Sequence, residues 1–144
     1  MYKPKYFTLK ELCYSRRAEE TNTDNFPSWE VVEHLRELAE KILDPLREAW
    51  GDAVNATSGF RCILLNKLVG GADTSAHPLG YAADLYPANG AFDAFVAFAV
   101  NWIQRNNIKF DQLIIESDGD QRWLHVGLYN RKGQQRRQTL NIKK

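Results

Sequence analysis

Ser75-Ala76-His77-Pro78-Leu79-Gly80-Tyr81-Ala82-Ala83-Asp84-Leu85-Tyr86 is the stretch on which the fold and chemistry of this chain turn. A loop rich in small residues delivers His77, and Tyr81 to Tyr86 reads as a strand. Strand alternation then places Ala82, Asp84 and Tyr86 on one face. A carboxylate in a strand otherwise built of Ala, Leu and Tyr needs a partner, because burying it alone is costly. The same question arises at Trp123-Leu124-His125-Val126-Gly127, where Trp123, His125 and Gly127 share one face and Leu124, Val126 and Leu128 supply the other. Two histidines and one aspartate make a normal catalytic zinc set with a fourth position open. A buried His–Asp hydrogen-bonded pair would use the same residues. Spacing alone leaves both readings open. The third histidine, His34, lies inside a helical pattern and reads as a surface or boundary residue.

Working outward, Thr8 is a plausible N-cap for a short helix at Thr8-Leu9-Lys10-Glu11-Leu12, after which Arg16 to Asn25 is polar and loop-like. Ser28 opens the strongest helix, with Val31, Leu35, Leu38 and Ile42 at helical spacing and Val32, Ala39, Leu43 and Leu46 widening the stripe. Pro45 predicts a kink or the start of its last piece, and Gly51 ends it. Ala53 to Ser58 predicts a short strand. A helix through Leu64, Leu65 and Leu68 stops at Gly70-Gly71. Phe92, Phe95, Val96, Ala99, Trp102 and Ile103 predict a second amphipathic helix. Strands at Phe110 to Glu116 and Trp123 to Tyr129 flank the hairpin-like Ser117-Asp118-Gly119-Asp120. Helices first, then strands interleaved with helices, predict an α+β fold with a small, mostly antiparallel sheet packed against helices.

The 144 residues fit one domain, long enough to fold without disulfide staples. A net charge of +1 gives no global reason to expect nucleic acid as a partner. Charge is nonetheless uneven. Arg131, Lys132, Arg136, Arg137, Lys143 and Lys144 fall in a C-terminal run, 131–144, that contains no acid. Such a run reads either as a solvated basic tail or as an arm that touches an anionic polymer such as teichoic acid or a nucleic acid. Cys13 and Cys62 stand in no metal-binding or redox spacing and suggest packing residues in a reduced compartment. No signal-like segment opens the sequence and no apolar run would span a bilayer, so synthesis in the cytoplasm without membrane insertion is expected. No strong apolar stripe is left over, which suggests a monomer.

The order of short motifs is more specific than any one of them. Ser58-Gly59-Phe60-Arg61, Leu65-Asn66, Val69-Gly70-Gly71, Ser75-Ala76-His77, Gly80-Tyr81-Ala82-Ala83-Asp84 and Trp123-Leu124-His125-Val126 follow one another as in a known signature. Together they resemble the zinc D-Ala-D-Ala carboxypeptidase and murein endopeptidase family, whose pattern SxHxxGxAxD precedes a later strand histidine and whose fold is shared with the hedgehog domain. Phe7-Thr8-Leu9-Lys10-Glu11-Leu12 is similar to phage-type members, so the resemblance covers nearly the whole chain.

The resemblance implies one Zn2+ on His77, Asp84 and His125, and murein stem peptides or cross-links as substrate. It implies a substrate carboxylate or carbonyl on Arg61, a role suited to a planar guanidinium, whereas a structural salt bridge is the plainer alternative. Ser75 matches a serine that either bonds substrate or caps the loop. Many members carry an acid three residues before the last ligand, and here that position is Arg122. Glu116 is then the expected general base, with Asp118 and Asp120 as alternatives, because its strand is similar to the one that brings a glutamate to the hedgehog metal site. Alternation puts Gln112 beside Glu116 on the substrate face, and Trp123 is expected to wall the cleft. Carboxypeptidase and endopeptidase action both fit, as does an inactive zinc-holding binding module. A small phage or prophage endolysin is the expected context.

Overall fold

The computed structural model describes residues 2–144. Its elements run α1 (Leu9–Cys13), α2 (Arg16–Glu20), α3 (Trp29–Leu38), a π-helical turn (Ala39–Leu43), α4 (Asp44–Trp50), β1 (Val54–Ser58), α5 (Ile63–Leu68), a 3-10 turn (His77–Leu79), β2 (Ala82–Pro87), α6 (Phe92–Arg105), β3 (Gln112–Asp118), β4 (Gln121–Gly127) and β5 (Gln138–Lys143). The α+β expectation holds. The five strands form one sheet in the order β1-β2-β4-β3-β5. It is a mixed sheet: β1–β2, β2–β4 and β3–β4 pair antiparallel, whereas β3–β5 pair in parallel.

The long helix starts where Ser28 Oγ accepts the Val31 amide, and it carries Leu35 and Leu38 fully into the core. Pro45 does not break it outright. The turn before the proline widens instead, with the Asp44 amide reaching back to the carbonyl of Ala39. Widening relieves the clash between a proline ring and the carbonyl four residues earlier, and it absorbs the amide that proline lacks. On the sheet, Ala83, Leu85, Leu113, Leu124 and Val126 face these helices and join Leu35, Ile42, Phe95 and Ile103 in one core. Each such Leu, Ile or Phe stabilises the fold by roughly 1.5–3 kcal/mol relative to an exposed position. The opposite sheet face is free of helices where it carries Asp84, His125, Ile114 and Glu116, and there it forms a cleft.

Two expectations are corrected. Arg16–Glu20 is helical, capped by Ser15 Oγ on the Ala18 amide, in a segment that reads as loop. The basic run is not a free tail: Gln138–Lys143 pairs in parallel with β3, from Gln112↔Gln138 to Ser117↔Lys143. Gln138 and Arg137 amides donate to Asp111 and Phe110 carbonyls, and buried Asp111 holds Arg136 through Nε at 2.8 Å and Nη2 at 2.9 Å. The β3–β4 hairpin closes over Gly119-Asp120, with Gly119 at φ 61° as a tight two-residue turn requires. Among the described residues, no helix is long and apolar enough to cross a membrane.

Candidate metal centre

Three neighbouring elements converge on one buried point. The 3-10 turn supplies His77, β2 supplies Asp84 and β4 supplies His125, which are 2%, 6% and 7% exposed. Antiparallel pairing places Asp84 directly opposite His125, so both side chains leave the sheet on the same face. Asp84 Oδ1 lies 3.3 Å from His77 Nε2 and 3.2 Å from His125 Nδ1. One ligand atom from each residue falls within 4.8 Å of the others.

The segment Ser58–Arg61 builds the support for this point. The Phe60 amide donates to the Leu12 carbonyl at 2.7 Å, while Asn25 grips the Phe60 carbonyl and the Cys62 amide at 3.0 and 2.8 Å. So held, the Gly59 carbonyl accepts from His77 Nδ1 at 2.6 Å. Gly59 is there because of this close approach: a Cβ on it would sit 2.2 Å from the Leu12 carbonyl oxygen. A carbonyl only accepts, so the neutral His77 proton is on Nδ1 and Nε2 turns a lone pair toward Asp84. Ser75 Oγ accepts the His77 amide at 3.1 Å, one of the two roles considered for it, and its own proton stays free for another acceptor.

Electrostatics follow from this arrangement. Burial pushes the His77 pKa below its ordinary value, against the pull of Asp84, so the imidazole is held neutral. Burial alone would raise Asp84, but the charge and hydrogen bonds of His77 and His125 outweigh it and hold the carboxyl well below the usual range. With the His77 proton on Nδ1, its Nε2 lone pair faces an Asp84 carboxylate oxygen at 3.3 Å, and the lowered Asp84 pKa reflects positive charge brought to that contact. Two acceptors at that range repel unless a cation lies between them.

Around this point lies a cleft of about 910 Å3 whose lining includes Arg61, Ser75, Gln112, Glu116 and Trp123, the remaining residues expected at the site. Glu116 sits directly opposite Trp123 across β3–β4. Trp123 Nε1 donates to Glu116 Oε2 at 2.7 Å, and Lys144 Nζ stands 3.6 Å from Oε1. Gln112 Nε2 donates to Gln138 Oε1 at 2.9 Å. Arg61 approaches Ser58 Oγ through Nη1 at 3.4 Å, and its Nε is buried without a protein partner. Burial lowers the Arg61 pKa, against Asp84 and Glu116, which both favour its charge. No salt bridge holds Arg61 among the described residues. Of the alternative acids, Asp118 also lines the cleft, whereas Asp120 stands exposed in the hairpin turn. His34 is at a boundary, its Nδ1 on the Leu79 carbonyl and its ring stacked 4.0 Å from Tyr81.

A family model described as Peptidase M15 matches residues 5–126. The chain belongs to the Peptidase M15 family. A comparison with curated proteins finds no match. M15 peptidases are zinc enzymes, so this M15 chain is a metallopeptidase acting on peptide-containing substrates. Its buried His77–Asp84–His125 group could hold the metal ion. In a tetrahedral site with bonds of ~2.0–2.1 Å, ligand atoms are ~3.3–3.4 Å apart. The two carboxylate–imidazole separations of 3.3 and 3.2 Å fit that spacing. The Gly59 carbonyl on His77 Nδ1 is the outer hydrogen bond that orients a metal-binding imidazole.

Sequence reasoning missed that carbonyl, because a backbone oxygen leaves no residue signature. It also missed the C-terminal wall of the cleft, where Arg131, Lys132, Leu140, Ile142 and Lys144 appear. The signal for that wall was present: Leu140 and Ile142 alternate with Thr139, Asn141 and Lys143 at the period of a strand.

Proposed function

We propose that this M15 chain hydrolyses peptide bonds of murein stem peptides or cross-links, as a D-Ala-D-Ala carboxypeptidase or endopeptidase of phage or prophage type. It acts as a monomer holding one zinc on His77, Asp84 and His125, with Glu116 as general base. The observation that carries this reading is the place of Glu116: its carboxylate enters the ligand cleft from the strand next to His125, and its Oε2 is fixed by Trp123 Nε1 at 2.7 Å.

Zinc on the three ligands supplies Lewis acidity for the peptide carbonyl and acidifies water. The chain's own residues do the rest. With Oε2 anchored by Trp123 and Oε1 beside Lys144, Glu116 takes the proton of the attacking water and returns it to the departing amine nitrogen. Arg61, which lines the cleft and has no ion-pair partner among the described residues, binds a substrate carboxylate or carbonyl and sets the peptide's position. The Ser75 hydroxyl donates to substrate while its oxygen caps the His77 amide. Gln112 keeps its own carbonyl oxygen for a peptide N–H after its amide bonds Gln138. The Trp123 ring walls the cleft beside them.

The test is zinc content of the purified protein together with muropeptide release from purified peptidoglycan, for wild type and Glu116→Ala. One bound zinc in both, with release lost only in the variant, supports the hydrolase and its base. Zinc bound without release by the wild type would replace the reading with a binding module. No zinc uptake at neutral pH would end it.

A further inference from the structure

The family match stops at residue 126, yet the cleft does not. β5 extends the cleft floor beyond β3. Its register sets Gln138, Leu140 and Ile142 beside Gln112, Ile114 and Glu116 on one face, the face that carries the metal-ligand set. Leu140 and Ile142 are each 38% exposed and form an aliphatic strip at the cleft's outer edge. At the end of the cleft marked by Gln112, the loop between β4 and β5 adds Arg131 and Lys132 to the lining.

That loop is built, not loose. Asn130 Oδ1 accepts the amides of Lys132 and Gln134 at 2.9 and 2.8 Å, and Asn130 Nδ2 donates to Gln134 Oε1 at 2.8 Å. Farther along, Arg136 is locked on Asp111.

The charges sort by position. Of the four cleft carboxylates, Asp84 belongs to the ligand set and Asp111 is taken by Arg136. Glu116 and Asp118 lie toward the other end of β3, where Lys144 meets Glu116 at 3.6 Å. Arg131 and Lys132 have no carboxylate within ion-pair distance among the described residues. One end of a peptide-sized cleft is therefore cationic, polar-lined and uncompensated.

We infer that Arg131 and Lys132 form a second anionic subsite, which binds a carboxylate carried by the peptide away from the bond that is cut. The favoured substrate class is an acidic peptide with a free side-chain or branch carboxylate. This inference rests on the murein reading above and narrows it. The subsite lies in residues beyond the part of the chain that the family model matches. Two partly solvated cations facing one carboxylate bring a modest, salt-sensitive gain, about fivefold in affinity at low ionic strength.

The test uses two stem peptides, one with D-glutamate bearing its free carboxylate and one with the same residue amidated. Binding is titrated calorimetrically on zinc-loaded Glu116→Gln, which separates occupancy from turnover. In that background Arg131→Gln with Lys132→Gln is compared with Arg105→Gln and Lys109→Gln, which remove the same charge from and just beyond α6. The acidic peptide is expected to bind about fivefold more weakly only in the loop variant, with the difference shrinking at high salt. Equal effects on both peptides, or none on either, would overturn the subsite. Hydrolysis is read separately with Glu116 intact: absence of cleavage sinks the murein hydrolase reading, while the binding difference still decides the subsite.

Discussion

Replacing Gly59 with Ala should damage both the fold and metal binding, through one backbone contact. The added Cβ would lie 2.2 Å from the Leu12 carbonyl oxygen and 2.9 Å from its carbon. These are backbone atoms and no rotamer change relieves them, so α1 and the Ser58–Arg61 segment must separate. Overpacking of this kind costs roughly 1–3 kcal/mol. Separation also lengthens the 2.7 Å Phe60–Leu12 hydrogen bond, which contributes about 1 kcal/mol. The variant should thus lose about 2–4 kcal/mol. For a chain of this length the entropy of unfolding converts each kcal/mol to ~3 °C, so Tm falls by roughly 6–12 °C. The Gly59 carbonyl moves with the segment, and loss of such an outer hydrogen bond to a ligand imidazole costs ~10–100-fold in metal affinity. Urea unfolding of the metal-free protein and zinc competition against a chromophoric chelator measure the two effects. Gly127→Ala is the control, because its Cβ would come no closer than 3.5 Å to His125 Nε2. If Gly59→Ala unfolds within about 0.5 kcal/mol of wild type and holds zinc equally well, the support assigned to this segment is wrong.

The other predictions concern charge. Arg61→Lys keeps the cation but loses the planar fork, and kcat/KM on stem peptides should fall by about 10–100-fold with zinc content unchanged; equal kinetics would remove Arg61 from substrate binding. In the metal-free protein, His77 has a folded pKa below its ordinary 6.5, so its contribution to stability is complete above that value and is lost as pH falls below it. Asp84 adds a second loss only below its ordinary 3.8, as pH falls toward its lowered folded value. Stability of the metal-free form measured from pH 7.5 to 4.5 should therefore decline within the histidine window, and His77→Gln should flatten that decline. Asp111→Asn weakens the paired grip on Arg136 and should cost about 1.5–3 kcal/mol. Its signature is faster hydrogen exchange at the amides of 138–143 with β2 and β4 still protected.

The candidate residues His77, Asp84 and His125 stood out because each sits in a strand or loop whose local pattern leaves it unexplained. That pattern left a zinc set and a buried His–Asp pair equally open, and only the family resemblance favoured zinc. Asp84 among Ala, Leu and Tyr, and His125 between Leu124 and Val126, announce their face by alternation. What alternation cannot state is register. That Asp84 and His125 stand opposite one another follows from β2 and β4 being neighbours, a pairing between residues forty-one positions apart. β5 escaped for a related reason. Its apolar positions are only Leu140 and Ile142, both half-exposed on an edge strand, and the surrounding cations dominate its composition. Its partner β3 lies across a hairpin and a loop, so no local signal marks the parallel pairing. α2 is five residues, too short to show helical periodicity, and only the Ser15 cap distinguishes it from loop.

Arg122 bears most directly on the proposed general base, and strand geometry says which face of β4 it occupies. Position 122 is three residues before His125, and an odd separation along a regular strand puts two side chains on opposite faces. Arg122 accordingly points away from the cleft, donating to Asp93 Oδ1 at 2.8 Å with its guanidinium 4.7 Å over the Phe92 ring. An aspartate or glutamate placed there would face α6 and could not serve the metal without a bulge in β4. The arginine serves the helix side, bridging β4 to the start of α6. An acid that serves this strand geometry must sit on the ligand face, and the cross-strand partner of Trp123, two residues from His125, satisfies that parity. Glu116 occupies it, which is why the proposed base and the regularity of β4 stand or fall together.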